Sequence, residues 1–140
     1  MSRFIISRTP AGEQFILRSD TGRLLAVSKV YATLDACKKA ICSLVGVAAA
    51  APLVDLTAGE YASNPKIEIY TKEQGVCYAV KAPNGKTVLT RGPFATRKAA
   101  LRAIAMLRAA MDVPAVVMET PKGVVPLAVK ALDQKTKKAR

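Results

Sequence analysis

The side chains best suited to chemistry in this sequence are cationic, and they gather in its second half. Five lie on a predicted second helix or just before it: Arg91, Arg97, Lys98, Arg102 and Arg108. Five more lie near the end of the sequence: Lys130, Lys135, Lys137, Lys138 and Arg140. Lysine and arginine neutralise phosphates and release counterions, which gives affinity for nucleic acid with little sequence preference. The alternative interpretation is a solvated helix face, because both residue types are common on protein surfaces.

The net charge of +12 is unevenly distributed along the sequence. Residues 1–60 contain seven basic and five acidic residues, residues 61–121 contain nine and four, and residues 122–140 contain six and one. Ten of the twelve net charges therefore lie after residue 60. This asymmetry predicts an acidic partner, either nucleic acid or an acidic or nucleoprotein assembly.

The residue types needed for common catalytic and metal sites are scarce. The sequence contains no histidine, which removes the commonest general base and most zinc sites. Cys37 and Cys42 are five residues apart on a predicted helix and do not share a face, and Cys77 lies in a predicted strand. Buried small apolar side chains are the simpler interpretation of these cysteines. We therefore expect a non-enzymatic protein with no catalytic residues, no metal site and no cofactor.

Two hairpins form the framework that must position the cationic residues. Asn84-Gly85 separates two β-branched and aromatic segments, residues 76–81 and 87–90, and predicts a two-residue type I′ turn. Asp20-Thr21-Gly22-Arg23 occupies the same place in a similar hairpin upstream. The sequence therefore contains the same hairpin twice.

The similarity between the two hairpins extends through the surrounding sequence at a constant offset of 63 residues. The matched pairs include turn glycines, strand residues and helix residues: Gly12 with Gly75, Gly22 with Gly85, Phe15 with Tyr78, Tyr31 with Phe94, and Ile41 with Ile104. A gapless series that keeps these features in phase indicates an internal duplication rather than two unrelated segments.

Each copy predicts three strands, a helix capped by Thr33 or Thr96, and a fourth strand. The predicted domains are a first repeat over residues 1–58, a linker over 59–65, a second repeat over 66–120 and a basic tail over 121–140. One copy alone buries little surface, whereas two copies can share a sheet. The expected fold is α+β: two tandem β-β-β-α-β repeats form one antiparallel sheet with two helices packed on one face, a pseudo-dimer within one chain.

Residues 3 to about 120 resemble the YegP-like family of small tandem-repeat proteins, whose function is uncharacterised. The resemblance rests on an aromatic-x-apolar-basic strand, an Asn-Gly turn and an aromatic-x-Ser/Thr helix opening. These motifs stand here as Tyr78-Ala79-Val80-Lys81, Asn84-Gly85 and Phe94-Ala95-Thr96, and the first copy fits slightly less well. The resemblance implies one sheet with exchange of the last strands between the repeats, and it implies no catalytic residues. Arg23 and Lys86 after the turn glycines, and the basic tail, depart from the family pattern.

The tail is expected to lie outside the folded domain. Pro121 and Pro126 should separate it from the repeats, and residues 127–132 could form a short helix. Because every predicted strand precedes Pro121, deletion of residues 122–140 is expected to leave the fold nearly intact while it removes five net positive charges.

The sequence thus favours a non-enzymatic module that docks on nucleic acid, or on a nucleoprotein assembly, through the second helix and the tail. The alternative is a protein-interaction or structural subunit of a larger assembly, such as a virion or ribonucleoprotein, in which the apolar residues 124–132 dock on a partner. Binding to nucleic acid should weaken steeply with salt, whereas apolar docking should not.

The sequence also predicts the cellular location of the protein. The longest apolar run, residues 44–54, is too short to span a bilayer and contains Gly46 and Pro52. The first residues lack the charged-then-apolar pattern of a signal peptide, and three unpaired cysteines suit a reducing compartment. We expect a cytoplasmic protein, or a virion-associated one, that has no membrane partner.

Overall fold

The computed structural model describes residues 2–112, 114–121 and 123–127, and these contain nine strands and two α-helices. The first elements are β1 (Arg3–Thr9), β2 (Gly12–Arg18), β3 (Leu24–Val27), α1 (Leu34–Ala48) and β4 (Leu53–Asp55), followed by a short 3-10 helix (Leu56–Ala58). The next are β5 (Lys66–Lys72), β6 (Gly75–Lys81), β7 (Thr87–Phe94), α2 (Arg97–Ala110), β8 (Ala115–Thr120) and β9 (Gly123–Pro126). The order β-β-β-α-β therefore occurs twice, and the α+β class is confirmed.

The chain divides into two compact units, and each unit has its own sheet. One unit comprises residues up to Cys42 and from Ala110 onward, and its sheet has the order β3-β2-β1-β8-β9. The other unit comprises Ser43–Ala109, and its sheet has the order β4-β5-β6-β7. The last strand of each β-β-β-α-β series thus lies beside the first strand of the other series, which is the exchange that the resemblance implies.

The prediction of a single antiparallel sheet is wrong, because the structure contains two mixed sheets. β1 pairs with β8 in parallel and β4 pairs with β5 in parallel, whereas the hairpin pairs are antiparallel. β4 and β5 are consecutive strands joined by residues 56–65, and β1 and β8 are far apart in sequence, so neither parallel pair is closed by a hairpin turn. Local turn signals do not reveal this direction.

A side chain occupies part of the outer edge of β4, and an additional strand occupies the outer edge of β8. The Pro52 carbonyl accepts a hydrogen bond from the Ile67 amide of β5. Because successive residues of a strand direct their backbone groups to opposite sides, the N–H and C=O groups of Asp55 point away from β5. The Asp55 amide donates to Glu60 Oε1 at 2.8 Å, and the Glu60 amide donates to the Asp55 carbonyl at 3.1 Å. At the other sheet, β9 covers β8. Blocking of sheet edges by side chains and extra strands prevents further pairing.

The tail begins inside the fold and not after it. β9 pairs antiparallel with β8, with Thr120 opposite Gly123 and Val117 opposite Pro126, and the Leu127 amide donates to the Val116 carbonyl at 2.9 Å. The expectation that the tail lies outside the folded domain is therefore wrong for residues 123–127. Pro126 is tolerated because it stands at the end of an edge strand. The predicted helix over 127–132 lies, apart from Leu127, outside the described residues.

Both hairpin turns differ from the predicted type I′ turn in the same way. The Gly85 amide donates to the Ala82 carbonyl and the Ala82 amide donates to the Lys86 carbonyl, each at 2.9 Å. This pattern places Pro83 at a central turn position, where its fixed φ suits a type I turn, and Gly85 follows with a φ of 83°. The loop therefore has three residues, and proline is compatible with it but not required, because Asp20 takes the same place in the upstream hairpin. Gly22 closes the upstream hairpin through the same pattern of bonds.

Two glycines allow a backbone contact that no side chain would permit. A Cβ on Gly12 would lie 2.1 Å from the Tyr31 carbonyl oxygen, and one on Gly75 would lie 2.3 Å from that of Phe94. Both glycines also have φ near +147°, at 146° and 148°. Each contact lets the chain before a helix approach the start of β2 or β6 closely, so glycine is required at both positions.

The two helices begin and bury their residues as the sequence predicts. Thr33 Oγ1 accepts the Ala36 amide and Thr96 Oγ1 accepts the Ala99 amide, both at 3.1 Å, so both threonines are N-caps. The predicted apolar stripes are buried: Cys37, Ile41, Leu44 and Ala48 on α1, and Ala100, Ile104, Leu107 and Met111 along and just after α2. Among the described residues, no helix is both long and apolar enough to cross a membrane.

Replacement of Tyr78 by phenylalanine should stabilise the protein. The Tyr78 hydroxyl is fully buried and has no hydrogen-bond partner among the described residues, and Phe15 stands at the equivalent position of the first copy. Because an unpaired buried polar group is costly, we expect Tyr78→Phe to raise the free energy of unfolding by roughly 1 kcal/mol in urea titrations. Tyr70→Phe, at a partly exposed ring, is the control. A loss of stability in Tyr78→Phe would contradict this account.

Two truncations should differ sharply in stability. Removal of residues 128–140 leaves β9 in place, so the midpoint of thermal unfolding should stay almost unchanged. Removal of residues 122–140 deletes β9 and exposes the edge of β8, which should cost roughly 1–3 kcal/mol through lost backbone hydrogen bonds. Equal unfolding midpoints for the two truncated proteins, measured by circular dichroism, would show that β9 contributes nothing to the fold.

Candidate nucleic-acid interface

The predicted cationic face of α2 contains two kinds of position. At 100° per residue, Lys98 and Arg102 lie nearly opposite the buried residues Ala100, Ile104 and Leu107, and both are exposed. Arg97 and Arg108 lie nearer to the border between the buried and exposed sides. Side chains at such a border can reach neighbouring backbone and side chains, whereas those opposite the core point into solvent.

Arg97 forms an ion pair with Asp55. Its Nε donates to Asp55 Oδ2, and the carboxylate, of which 3% is exposed, also accepts the Thr57 amide at 2.9 Å. The Thr57 hydroxyl donates to the other carboxylate oxygen, Oδ1, at 2.5 Å. The hydrogen bonds from Thr57 and then from Arg97 hold the pKa of Asp55 below its usual range. Arg97 thus compensates a buried charge, which makes it a structural residue.

Arg108 holds the end of α1. Its Nη1 donates to the Ala48 carbonyl at 3.1 Å and its Nη2 donates to the Ala51 carbonyl at 2.7 Å. The last turn of α1 contains no basic residue of its own, so this guanidinium supplies the positive charge that a helix C-terminus favours. Both Arg97 and Arg108 therefore have partners within the unit that contains them.

Arg91 lies on β7 and is half-buried. It stands opposite Tyr78 in the strand register, so both side chains leave the sheet on one face. Burial raises the pKa of Tyr78 to about 12, and the nearby Arg91 charge opposes part of that rise. Of the five described cations predicted to form the interface, the structure leaves Lys98 and Arg102 exposed and without a salt-bridge partner among the described residues. The other five, Lys130, Lys135, Lys137, Lys138 and Arg140, lie outside the described residues.

A second group of polar and aromatic residues was not predicted from the sequence. Tyr61, in the segment before β5, has 86% of its surface exposed, and Lys66 Nζ lies 5.3 Å from the centre of its ring. The Lys66 ammonium is also 2.8 Å from Glu68 Oε1 and donates to the Ala62 carbonyl at 2.9 Å. A tyrosine in a polar segment was the only signal in the sequence, and it does not reveal the lysine under the ring.

Two of the cysteine thiols are difficult to ionise. Burial, and after it the Glu13 carboxylate, raises the pKa of the Cys37 thiol to about 11, and burial raises that of Cys42. A thiol with such a pKa stays protonated at neutral pH and is a poor nucleophile. Within the described ranges, no three His, Cys, Asp or Glu side chains lie close enough together to hold a metal ion.

Comparison with solved structures supports the fold. The chain is similar to yegP, a protein of unknown function from Escherichia coli, with a TM-score of 0.67 and 19% sequence identity over 86% of this chain and 94% of that one. It is also similar to a UPF0339 protein from Shewanella oneidensis, with a TM-score of 0.61 and 14% identity over 77% and 82% of the two chains. No protein-family model and no curated protein sequence matches the chain. The chain thus has a YegP-like fold.

The charge of Asp55 should stabilise the protein only above acidic pH. Since its pKa is lower in the folded than in the unfolded state, the stabilisation is complete above the unfolded value of about 3.9 and is lost as the pH falls further. We expect Asp55→Asn to lose roughly 1–2 kcal/mol of unfolding free energy at about pH 7, and much less at about pH 3. Asp20→Asn, at an exposed turn, is the control. A deficit in Asp55→Asn that persists unchanged at low pH would contradict the electrostatic explanation.

Proposed function

We propose that this protein is a non-enzymatic binding module that docks on nucleic acid, or on a nucleoprotein assembly, through α2 and its basic tail. The observation that carries the proposal is the exposed face of α2. Lys98 and Arg102 lie one turn apart on it, and the helix Arg97–Ala110 contains no acidic residue. Two unpaired cations at this spacing can contact adjacent phosphates without first breaking a salt bridge.

We propose further that the chain arose by tandem duplication and that the second copy acquired its charge afterwards. Matching positions share their N-caps, hairpin bonds and glycine contacts, which supports common descent of the two copies. At the positions of Lys98 and Arg102, α1 has Asp35 and Lys39, so its exposed face is mixed in sign. Because the two copies share one backbone framework, we attribute this difference in surface charge to binding and not to folding.

The tail supplies further positive charge. Residues 128–140 contain five basic residues and one acidic residue, and they follow directly after β9 and Leu127. The alternative, a docking peptide over residues 124–132, has less support, because its first residues already pair with β8 in the chain's own sheet. We therefore assign residues 128–140 to phosphate contact.

Charge reversal on α2 tests the proposal. We expect Lys98→Glu with Arg102→Glu to weaken binding to a labelled duplex and to reduce the slope of log affinity against log salt by roughly 1.5–2 units, as two lost phosphate contacts require. The matched control is Lys38→Glu with Lys39→Glu on α1, which changes the net charge equally. Fluorescence anisotropy across a salt series provides the measurement.

The outcomes separate a localised site from a general charge effect. If both double variants lose affinity equally, only the net charge matters and the α2 interface is refuted. The protein truncated after Leu127 should lose roughly two to three further units of slope. If that truncated protein keeps its slope but no longer captures a protein partner, the docking-peptide alternative replaces the proposal.

A further inference from the structure

An exposed aromatic ring stands apart from the rest of the surface. Tyr61 is 86% exposed, more than twice the fraction of Leu56, at 41%. Aromatic rings are large apolar groups and are usually buried in folded proteins. Tyr61 instead lies in solvent, and one face of its ring contacts the Lys66 ammonium at 5.3 Å from the ring centre.

The lysine beneath the ring is held in place. Lys66 is the first residue of β5 and only 8% exposed, and its ammonium is fixed by the Glu68 carboxylate and the Ala62 carbonyl at 2.8 and 2.9 Å. The cation–π contact favours one position of the Tyr61 ring, and the high exposure of the ring leaves it accessible to a flat ligand. A ring that is already positioned loses less entropy when a flat ligand stacks on it.

Two further cations lie at the same end of this sheet. Lys81 is opposite Lys66 in the register of β5 and β6, and its ammonium donates to Thr87 Oγ1 at 2.6 Å. Lys86 is exposed in the adjacent hairpin turn. That turn approaches the segment that contains Tyr61, since a Cβ on Gly85 would lie 3.3 Å from Asn64 Nδ2. Within the described residues, neither Lys81 nor Lys86 forms a salt bridge.

We propose that Tyr61 stacks on an unpaired base of a single-stranded nucleic acid, while Lys81 and Lys86 contact the flanking phosphates. This inference rests on the proposed function and adds the class of strand. Stacking on an exposed ring beside cations is the common mode of single-strand binding, because every base offers a flat face. Bases within a duplex are already stacked on each other, so the ring would gain nothing from double-stranded ligands.

Binding to single and double strands tests the stacking. We expect Tyr61→Ala to weaken binding of a labelled oligothymidylate of about twelve nucleotides by roughly 5- to 100-fold, and Tyr61→Phe to retain most of the affinity. Lys86→Ala should lower the salt slope for this single strand by about 0.7. Leu56→Ala removes a nearby exposed apolar side chain and serves as the matched control. Affinity for a duplex of equal length should be unchanged in Tyr61→Ala.

Each result has a distinct consequence. If Tyr61→Ala binds the single strand as tightly as the wild type, while Lys98→Glu with Arg102→Glu weakens binding, the stacking site is refuted and the proposed function stands. If Tyr61→Ala weakens single-strand and duplex binding equally, the ring does not distinguish the strands and the inference also fails. If the wild-type protein binds neither nucleic acid, both proposals fail together.

Discussion

The structure depends on the exchange of two strands, each of which reaches its sheet through a helix. β4 follows α1 and completes the sheet of β5, β6 and β7, while β8 follows α2 and lies between β1 and β9. Neither series of three strands therefore has all its neighbours within its own part of the sequence. The exchange links the stability of the two series, because loss of either last strand uncovers the first strand of the other.

The same local interactions stabilise both β-β-β-α-β series. A threonine caps each helix, and a glycine lets a carbonyl just before the helix approach the hairpin. Stacked aromatic rings accompany this approach: Phe15 with Tyr31, with ring centres 6.4 Å apart, and Tyr78 with Phe94, at 6.2 Å. Such repetition of backbone requirements explains why glycine, aromatic and threonine positions coincide between the two series even where the surface residues differ.

The basic residues of α2 have two different roles, and the role of each depends on its side of the helix. Arg97 and Arg108 lie near the border of the buried side of α2, where one compensates the Asp55 carboxylate and the other caps α1. Lys98 and Arg102 lie on the opposite side, and their charge remains accessible to a partner. The net charge of +12 is therefore a poor measure of binding capacity, because part of it stabilises the fold. This distinction narrows the proposed interface to the cations that the fold does not use.

Local sequence patterns were sufficient to predict the elements that depend on neighbouring residues. Hairpins, threonine caps and the buried stripes on α1 and α2 follow from turn residues and periodicity, which act within a few positions of each other. The α+β class followed from their order. Even the turn at residues 82–86 was placed correctly, although its loop has three residues instead of the predicted two.

The pairing of distant segments became apparent only in the folded chain. The division into two sheets and the parallel pairing of β1 with β8 rest on backbone hydrogen bonds between residues far apart in sequence, for which a single sequence gives no register. β9 pairs with β8 across a short turn, a local hairpin that was not predicted from the sequence. The limit on distant pairs applies also to the candidate sites. A helical pattern placed Arg97 and Arg108 on a cationic face, but it could not show Asp55 and the end of α1 beside them. Nor could it bring Lys66 beneath Tyr61, because that contact depends on where the chain before β5 folds.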